Sequence, residues 1–226
     1  MTSFFNFFNN RSQQKRNQAK RGALARSPLK PRRLMTETLE DRRLLAVDVL
    51  GGVSAAFADT ANIIDISSDD ASIASIKQAI AEAAASPEDD VIQISASTLK
   101  FASASDEITI DVNSSEYGSI TLVAVDGDVT IDANSLARAF SVKNGDVVLQ
   151  GFNIVNGVAD YGGAIANDGD LTLVGVTLSN NQATVSGGAI ANSGSLAVQD
   201  SVITDNSSNG SGGAIYEGDF SWPTAD

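Results

Sequence analysis

The second half of the chain consists of short stretches in which apolar and polar residues alternate. Leu171 and Leu173 show this period of two, and the residues around Ile203 repeat it. Such alternation is typical of half-buried β-strands, and the Gly, Asn, Asp and Ser residues between the stretches favour turns. No stretch in residues 140–217 is apolar at the i, i+3, i+4 spacing of a helix. The pattern therefore predicts many short strands joined by tight turns.

These strands belong to a repeat. The sequence GGAI occurs three times at intervals of 25 residues, and Asn181 and Asn206 keep the same interval. A fixed period of 20–50 residues indicates a solenoid, and the absence of helical patterns excludes helical and leucine-rich repeats. Short strands stacked about 4.8 Å apart form a parallel β-helix, which the usual crossover rule predicts to be right-handed. The repeated GGAI residues are Gly162, Gly163, Ala164 and Ile165, then Gly187, Gly188, Ala189 and Ile190, then Gly212, Gly213, Ala214 and Ile215.

The glycine pairs have a structural interpretation. Each pair permits a positive φ and lets stacked backbones approach where a side chain would clash, while Ala and Ile fill the interior. Asn181 and Asn206 are expected to stack and to exchange amide hydrogen bonds. The alternative, a phosphate-binding loop, would require a following Lys and a helix, which the sequence lacks.

The chain divides into three predicted segments. Residues 1–58 form a disordered, basic export segment, and residues 59–90 form an entrance with a capping helix. Ile76, Ala79, Ile80 and Ala83 fall on one face of that helix, which would cover the open end of the solenoid. Residues 91–226 form an all-β helix of about five coils. We expect this part to be truncated, because no polar cap follows the last repeat.

Charge is distributed unevenly along the chain. Residues 1–45 carry 11 Lys/Arg against 3 Asp/Glu, or +8, whereas the remainder carries 4 against 25, or −21. A basic front favours a targeting segment, with nucleic-acid binding as the alternative, and the acidic remainder disfavours nucleic-acid partners. The chain has no Cys and no His, and no apolar run is long enough for a transmembrane helix.

The segment "LEDRRLLA" strengthens the prediction of export. It resembles the start of many large exported and surface proteins of environmental bacteria. Cleavage is expected after Ala46 or after Ala58, where a small-x-small pattern ends. The matching residues are Leu39, Glu40, Arg42, Arg43, Leu44, Leu45 and Ala46.

The GGAI repeats resemble the polymorphic outer membrane protein repeat, which combines GGAI with an F-x-x-N element. Ile154, Leu178 and Ile203 occupy the Phe position, so the aromatic half is only approximate. The resemblance covers roughly residues 140–217, and the entrance resembles that of pectin-lyase-like β-helices. It implies an exported protein at the cell surface, at the outer membrane or outside the cell, with a structural or adhesive role.

A carbohydrate-active β-helix, either a polysaccharide lyase or a glycan-binding module, is the alternative. A lyase needs a basic residue near the sugar, and Arg138 and Lys143 are the candidates, although both are expected to be ordinary surface charges. Asp146 and Asp170 are weak Ca²⁺ candidates, since Asx-Gly pairs are first of all turn signals. The sequence therefore predicts no catalytic residue, no cofactor, and an unidentified glycan, surface ligand or cell-envelope protein as partner.

Overall fold

The computed structural model describes residues 61–112, 117–125 and 127–220. The chain divides into the units Met1–Arg43 and Leu44–Asp226, and all described residues belong to the second. The predicted export segment, including Leu39–Ala46 and both cleavage positions, lies outside the described residues.

Nineteen strands in the described residues form four sheets in which every pairing is parallel. Sheet A has the order β1-β2-β5-β8-β12-β16, sheet B β3-β6-β9-β13-β17, sheet C β4-β7-β11-β15-β19, and sheet D β10-β14-β18. The strands are β1 (Asn62–Ile66), β2 (Asp90–Ile94), β3 (Thr98–Lys100), β4 (Ile108–Asp111), β5 (Ile120–Ala124), β6 (Val129–Asp132), β7 (Phe140–Asn144), β8 (Asp146–Gln150), β9 (Phe152–Val155), β10 (Val158–Tyr161), β11 (Ile165–Asn167), β12 (Asp170–Val174), β13 (Thr177–Ser179), β14 (Gln182–Ser186), β15 (Ile190–Asn192), β16 (Ser195–Gln199), β17 (Val202–Thr204), β18 (Ser207–Ser208) and β19 (Ile215–Glu217).

After β1, the chain visits sheets A, B and C in this order from β2 to β7, and sheets A, B, D and C from β8 to β19. The strands therefore stack as a β-solenoid of about six turns. We number the coils by their strand in sheet A: coil 1 (62–89), coil 2 (90–119), coil 3 (120–145), coil 4 (146–169), coil 5 (170–194) and coil 6 (195–220). The prediction of an all-β parallel solenoid is confirmed. Its handedness stays a prediction.

One α-helix occurs in the described residues, α1 (Ile73–Ala83), and it belongs to coil 1. Ser72 caps its N-terminus, since the Ser72 Oγ accepts from Ser75 N at 3.1 Å and the Ser75 Oγ accepts from Ser72 N at 2.8 Å. The predicted apolar face is buried, and α1 packs on β1, β2 and β4. The helix therefore closes one end of the coil stack. A 3₁₀ turn, Ala104–Asp106, precedes β4.

The interior is a continuous column of aliphatic side chains with a few aromatic ones. Phe140 and Phe152 meet edge to face, with ring centroids 6.4 Å apart. Alternate residues of each strand point inward, so Val147, Leu171 and Leu196 follow one another through three adjacent coils in sheet A. The burial decreases toward coil 6, where Val198 is 41 % exposed and Val202 53 % exposed.

The corners of the coils place residues with positive φ in columns. After sheet B this column consists of Asn156 (φ 59°), Asn180 (φ 56°) and Asp205 (φ 55°), in three consecutive coils. Asn and Asp tolerate the left-handed region better than other non-glycine residues. The turn chemistry thus repeats with the coil, as the strands do.

Candidate functional site

The first glycine of each GGAI forms a turn directly before sheet C. Gly162, Gly187 and Gly212 have φ values of 61°, 72° and 64°, which disfavour any residue with a Cβ. The isoleucines that follow, Ile165, Ile190 and Ile215, are direct register partners in sheet C. The three repeats therefore lie in one column, at the spacing that the 25-residue period predicts.

The second glycine has a different role, because it allows two coils to approach closely. A Cβ on Gly163 would lie 2.5 Å from the carbonyl oxygen of Gly188, and one on Gly188 would lie 2.1 Å from that of Gly213. On Gly213 the same Cβ would meet only the Asn206 carbonyl oxygen, at 4.0 Å. The second glycine is therefore required sterically where a further coil is stacked on it.

Asn181 and Asn206 form an amide ladder between coils 5 and 6. The Asn206 Oδ1 accepts from the Asn181 backbone N–H at 2.9 Å and from its Nδ2 at 3.0 Å. The Asn181 Oδ1 in turn accepts from the Gly157 N–H at 2.8 Å, while its Nδ2 donates to the Ile154 carbonyl at 3.1 Å. Asn181 is 1 % exposed, so these bonds satisfy a fully buried amide.

A second ladder was not assigned from the sequence. The Asn167 Nδ2 donates to the Asn192 Oδ1 at 2.6 Å, and the Asn192 Nδ2 donates to the Glu217 Oε2 at 2.7 Å. Both asparagines are buried and follow GGAI by two residues, in "GGAIAN". The repeated Asn was visible in the sequence, but only the register in sheet C shows that the amides bond across coils.

We expect Asn181→Ala to lower the free energy of unfolding by about 2–3 kcal/mol, because it leaves the Gly157 N–H and the Ile154 carbonyl without their side-chain partner. Asn209→Ala, at an exposed position, is the control and is expected to change it by less than about 0.5 kcal/mol. Urea unfolding followed by far-ultraviolet circular dichroism measures both variants. Equal midpoints for the two would contradict a stabilising ladder.

Arg138 is buried, which corrects the expectation that it is a solvated surface charge. It is 8 % exposed, its Nε donates to the Glu107 Oε1 at 3.2 Å, and its Nη1 donates to the Tyr161 carbonyl at 2.9 Å. Burial lowers the pKa of the guanidinium, while the nearby carboxylates of Glu107, Asp160 and Asp168 raise it. Arg138 thus joins coil 2, coil 3 and coil 4 through one side chain. Lys143, the other basic candidate, is exposed on β7.

The Ca²⁺ candidates lie next to each other. Asp146 and Asp170 are register partners in sheet A and border a shallow groove of about 300 Å³ on its outer face. Ser119, Ser195 and Thr172 add hydroxyl groups to its lining. Within the described ranges, no three acidic, His or Cys side chains come close enough together to hold a metal ion. The groove therefore offers two carboxylates and several hydroxyls, which suit a ligand rich in hydrogen-bond donors.

Ser141 on β7 is the one residue of the described part whose buried side-chain oxygen has no hydrogen-bond partner. It is 1 % exposed and pairs in register with Ala166 of the next coil. We expect Ser141→Ala to raise the free energy of unfolding by about 1 kcal/mol, because the variant no longer buries an unsatisfied hydroxyl. Urea unfolding measures the change. Ser195→Ala, at an exposed position, is the control. A Ser141→Ala variant less stable than the wild type would show that the Ser141 hydroxyl forms a stabilising hydrogen bond.

Comparison with protein families gives two matches. Residues 175–193 and 200–216 match the repeat described as "Chlamydia polymorphic membrane protein (Chlamydia_PMP) repeat". Residues 32–49, which include the "LEDRRLLA" segment, match "Planctomycete extracellular". No similar curated protein and no similar solved structure was found.

The two matches agree with the geometry of the coils. The repeat matches cover the Asn181 and Asn206 ladder and the second and third GGAI turns. No helix within the described ranges has the length and apolar character needed to cross a membrane. Together the matches indicate a surface or extracellular protein. The chain is therefore a parallel β-helix, and parts of its last two coils match the polymorphic membrane protein repeat.

Proposed function

We propose that this protein is an exported structural module that adheres through the outer faces of its β-helix and has no catalytic activity. The regularity of coils 4–6 carries the proposal. From β8 to β19 the longest connection between strands is residues 209–214, so no long loop encloses a pocket. Solenoids of this kind present extended surfaces for binding rather than a single deep site.

The charges support the same function. Arg138, one of the two basic residues considered for lyase chemistry, already bonds Glu107 and the Tyr161 carbonyl inside the stack. The net charge of −21 over residues 46–226 would also repel an acidic polysaccharide. A neutral glycan or a cell-envelope protein suits this surface better.

Two experiments test this proposal. Protease treatment of intact cells of the source organism is expected to digest the β-helix, because the proposed module is exposed on the cell surface. Recovery of the protein from the cytosol with residues 1–45 intact would contradict export. Incubation of the purified protein with polygalacturonate and Ca²⁺ is expected to give no unsaturated product; steady formation of that product would refute the absence of catalysis.

The groove of sheet A favours glycan binding as a second candidate function. The carboxylates of Asp146 and Asp170 and the hydroxyls of Ser119 and Thr172 line one shallow groove. Carboxylates accept strong hydrogen bonds from sugar hydroxyls. A glycan array with the wild type and with the variant Asp146→Ala/Asp170→Ala tests this function: binding that the variant loses would support it. Equal binding by both proteins would place any glycan site elsewhere.

A further inference from the structure

The segment after β19 turns back along the coil stack. Gly218 continues sheet C by one hydrogen bond, from its N–H to the Asn192 carbonyl at 2.9 Å. Two residues later, the ring of Phe220 stacks on the ring of Tyr161, with centroids 5.8 Å apart and planes at 22°. Tyr161 belongs to coil 4, so the segment passes coil 5 on its way. Two coils are about 10 Å, which three extended residues cover.

Coil 5 has a small side chain at the position that pairs with Tyr161. Ser186 is the register partner of Tyr161 in sheet D, and it is 7 % exposed although it lies in a three-stranded outer sheet. A large residue there would stand between Phe220 and Tyr161. The sequence of coil 5 thus leaves room for an aromatic ring to reach coil 4.

The backbone of Tyr161 is hydrogen-bonded to coil 3. Its carbonyl accepts from the Arg138 Nη1 at 2.9 Å, and Arg138 is paired with Glu107 at 3.2 Å. A line of contacts therefore runs from coil 2 through Glu107, Arg138 and Tyr161 to Phe220 beyond β19. Coils of a solenoid otherwise contact only their neighbours, so terminal coils open independently of distant ones.

We propose that Gly218–Phe220 is a strap that fastens coil 6 to coil 4 through the Tyr161–Phe220 stack. Coil 6 needs such a restraint, because within the described residues its strands are paired on one side only and Val198 and Val202 are exposed. Release of Phe220 lets coil 6 open and exposes the strand edges of coil 5 beneath it.

Hydrogen exchange of the full chain, measured by mass spectrometry, tests the strap. In Phe220→Ala we expect amides of residues 195–217 to exchange about two- to tenfold faster, since aromatic pairs contribute that much coupling. Amides of coil 3 are expected to keep their rates. Tyr161→Ala is expected to have the same effect on coil 6, and the double variant to add nothing further, because both changes remove one contact.

Tyr161→Phe is the matched control, because it keeps the ring and removes only the hydroxyl. We expect it to exchange like the wild type in coil 6. Unchanged coil 6 rates in Phe220→Ala, or fully additive effects in the double variant, would overturn the proposal. So would a loss of protection in Tyr161→Phe as large as that in Tyr161→Ala.

Discussion

Gly188→Ala is expected to lower the free energy of unfolding by about 3 kcal/mol or more. The new Cβ would lie 2.1 Å from the carbonyl oxygen of Gly213 and 2.5 Å from that of Ser207. These are backbone atoms of coil 6, which cannot rotate away as the end of a side chain could. Overpacking of an interior commonly costs about 1–3 kcal/mol of stability. Because the new Cβ would clash with two backbone segments, we expect a cost at or above the upper end of this range. Urea unfolding measures the loss.

Gly213→Ala is a control with the same local sequence, since both glycines lie in "SGGAI". Its Cβ would have one neighbour, at 4.0 Å, so we expect a change within about 0.5 kcal/mol. The comparison separates steric contact between coils from the intrinsic difference between Gly and Ala. Equal losses in the two variants would show that contact between coils does not explain the second glycine.

Arg138→Met is expected to cost about 3 kcal/mol of stability. The variant removes the partner of Glu107 and the donor to the Tyr161 carbonyl, inside a site where Arg138 is 8 % exposed. Breaking a buried ion pair from one side costs about 3–5 kcal/mol, and the Glu107 side chain, at 29 % exposure, keeps enough water contact to place the loss at the lower end. Thermal and urea unfolding measure the change.

Two further variants serve as comparisons for Arg138→Met. Lys100→Met removes an ion pair with Asp132 at 3.5 Å, but Lys100 is 57 % exposed, so we expect a loss below about 1 kcal/mol. Glu107→Leu combined with Arg138→Met is expected to recover part of the loss, because the Glu107 carboxylate is no longer left without its partner. If Arg138→Met and Lys100→Met are equally stable, Arg138 does not clamp the coils.

The parts of the fold that repeat were predictable from the sequence. The 25-residue interval aligns Ile165, Ile190 and Ile215 because equal lengths of chain return to equal positions in successive coils. The same argument places Leu178 beside Ile203 and stacks Asn181 on Asn206. The capping helix was predictable for a different reason, since an amphipathic face of Ile76 and Ile80 is a local property.

Contacts that join different parts of the repeat were not predictable in this way. Arg138 has no basic counterpart at the equivalent positions of the next coils, so the sequence predicted only an ordinary surface charge at this position. Its partners are 31 and 23 residues away, at no repeat interval. The stack of Tyr161 and Phe220 likewise joins residues that no period relates.

By itself, the sequence determined the coil, its period, the columns of glycine and asparagine, and the acidic character of the β-helix. These follow from local chain geometry applied again at each turn. Only the tertiary structure decided which charged side chain is buried, where the groove lies and how the last coil is fastened. Such features depend on contacts between coils. Neither the composition nor the repeat period predicts a contact between two residues that the period does not relate.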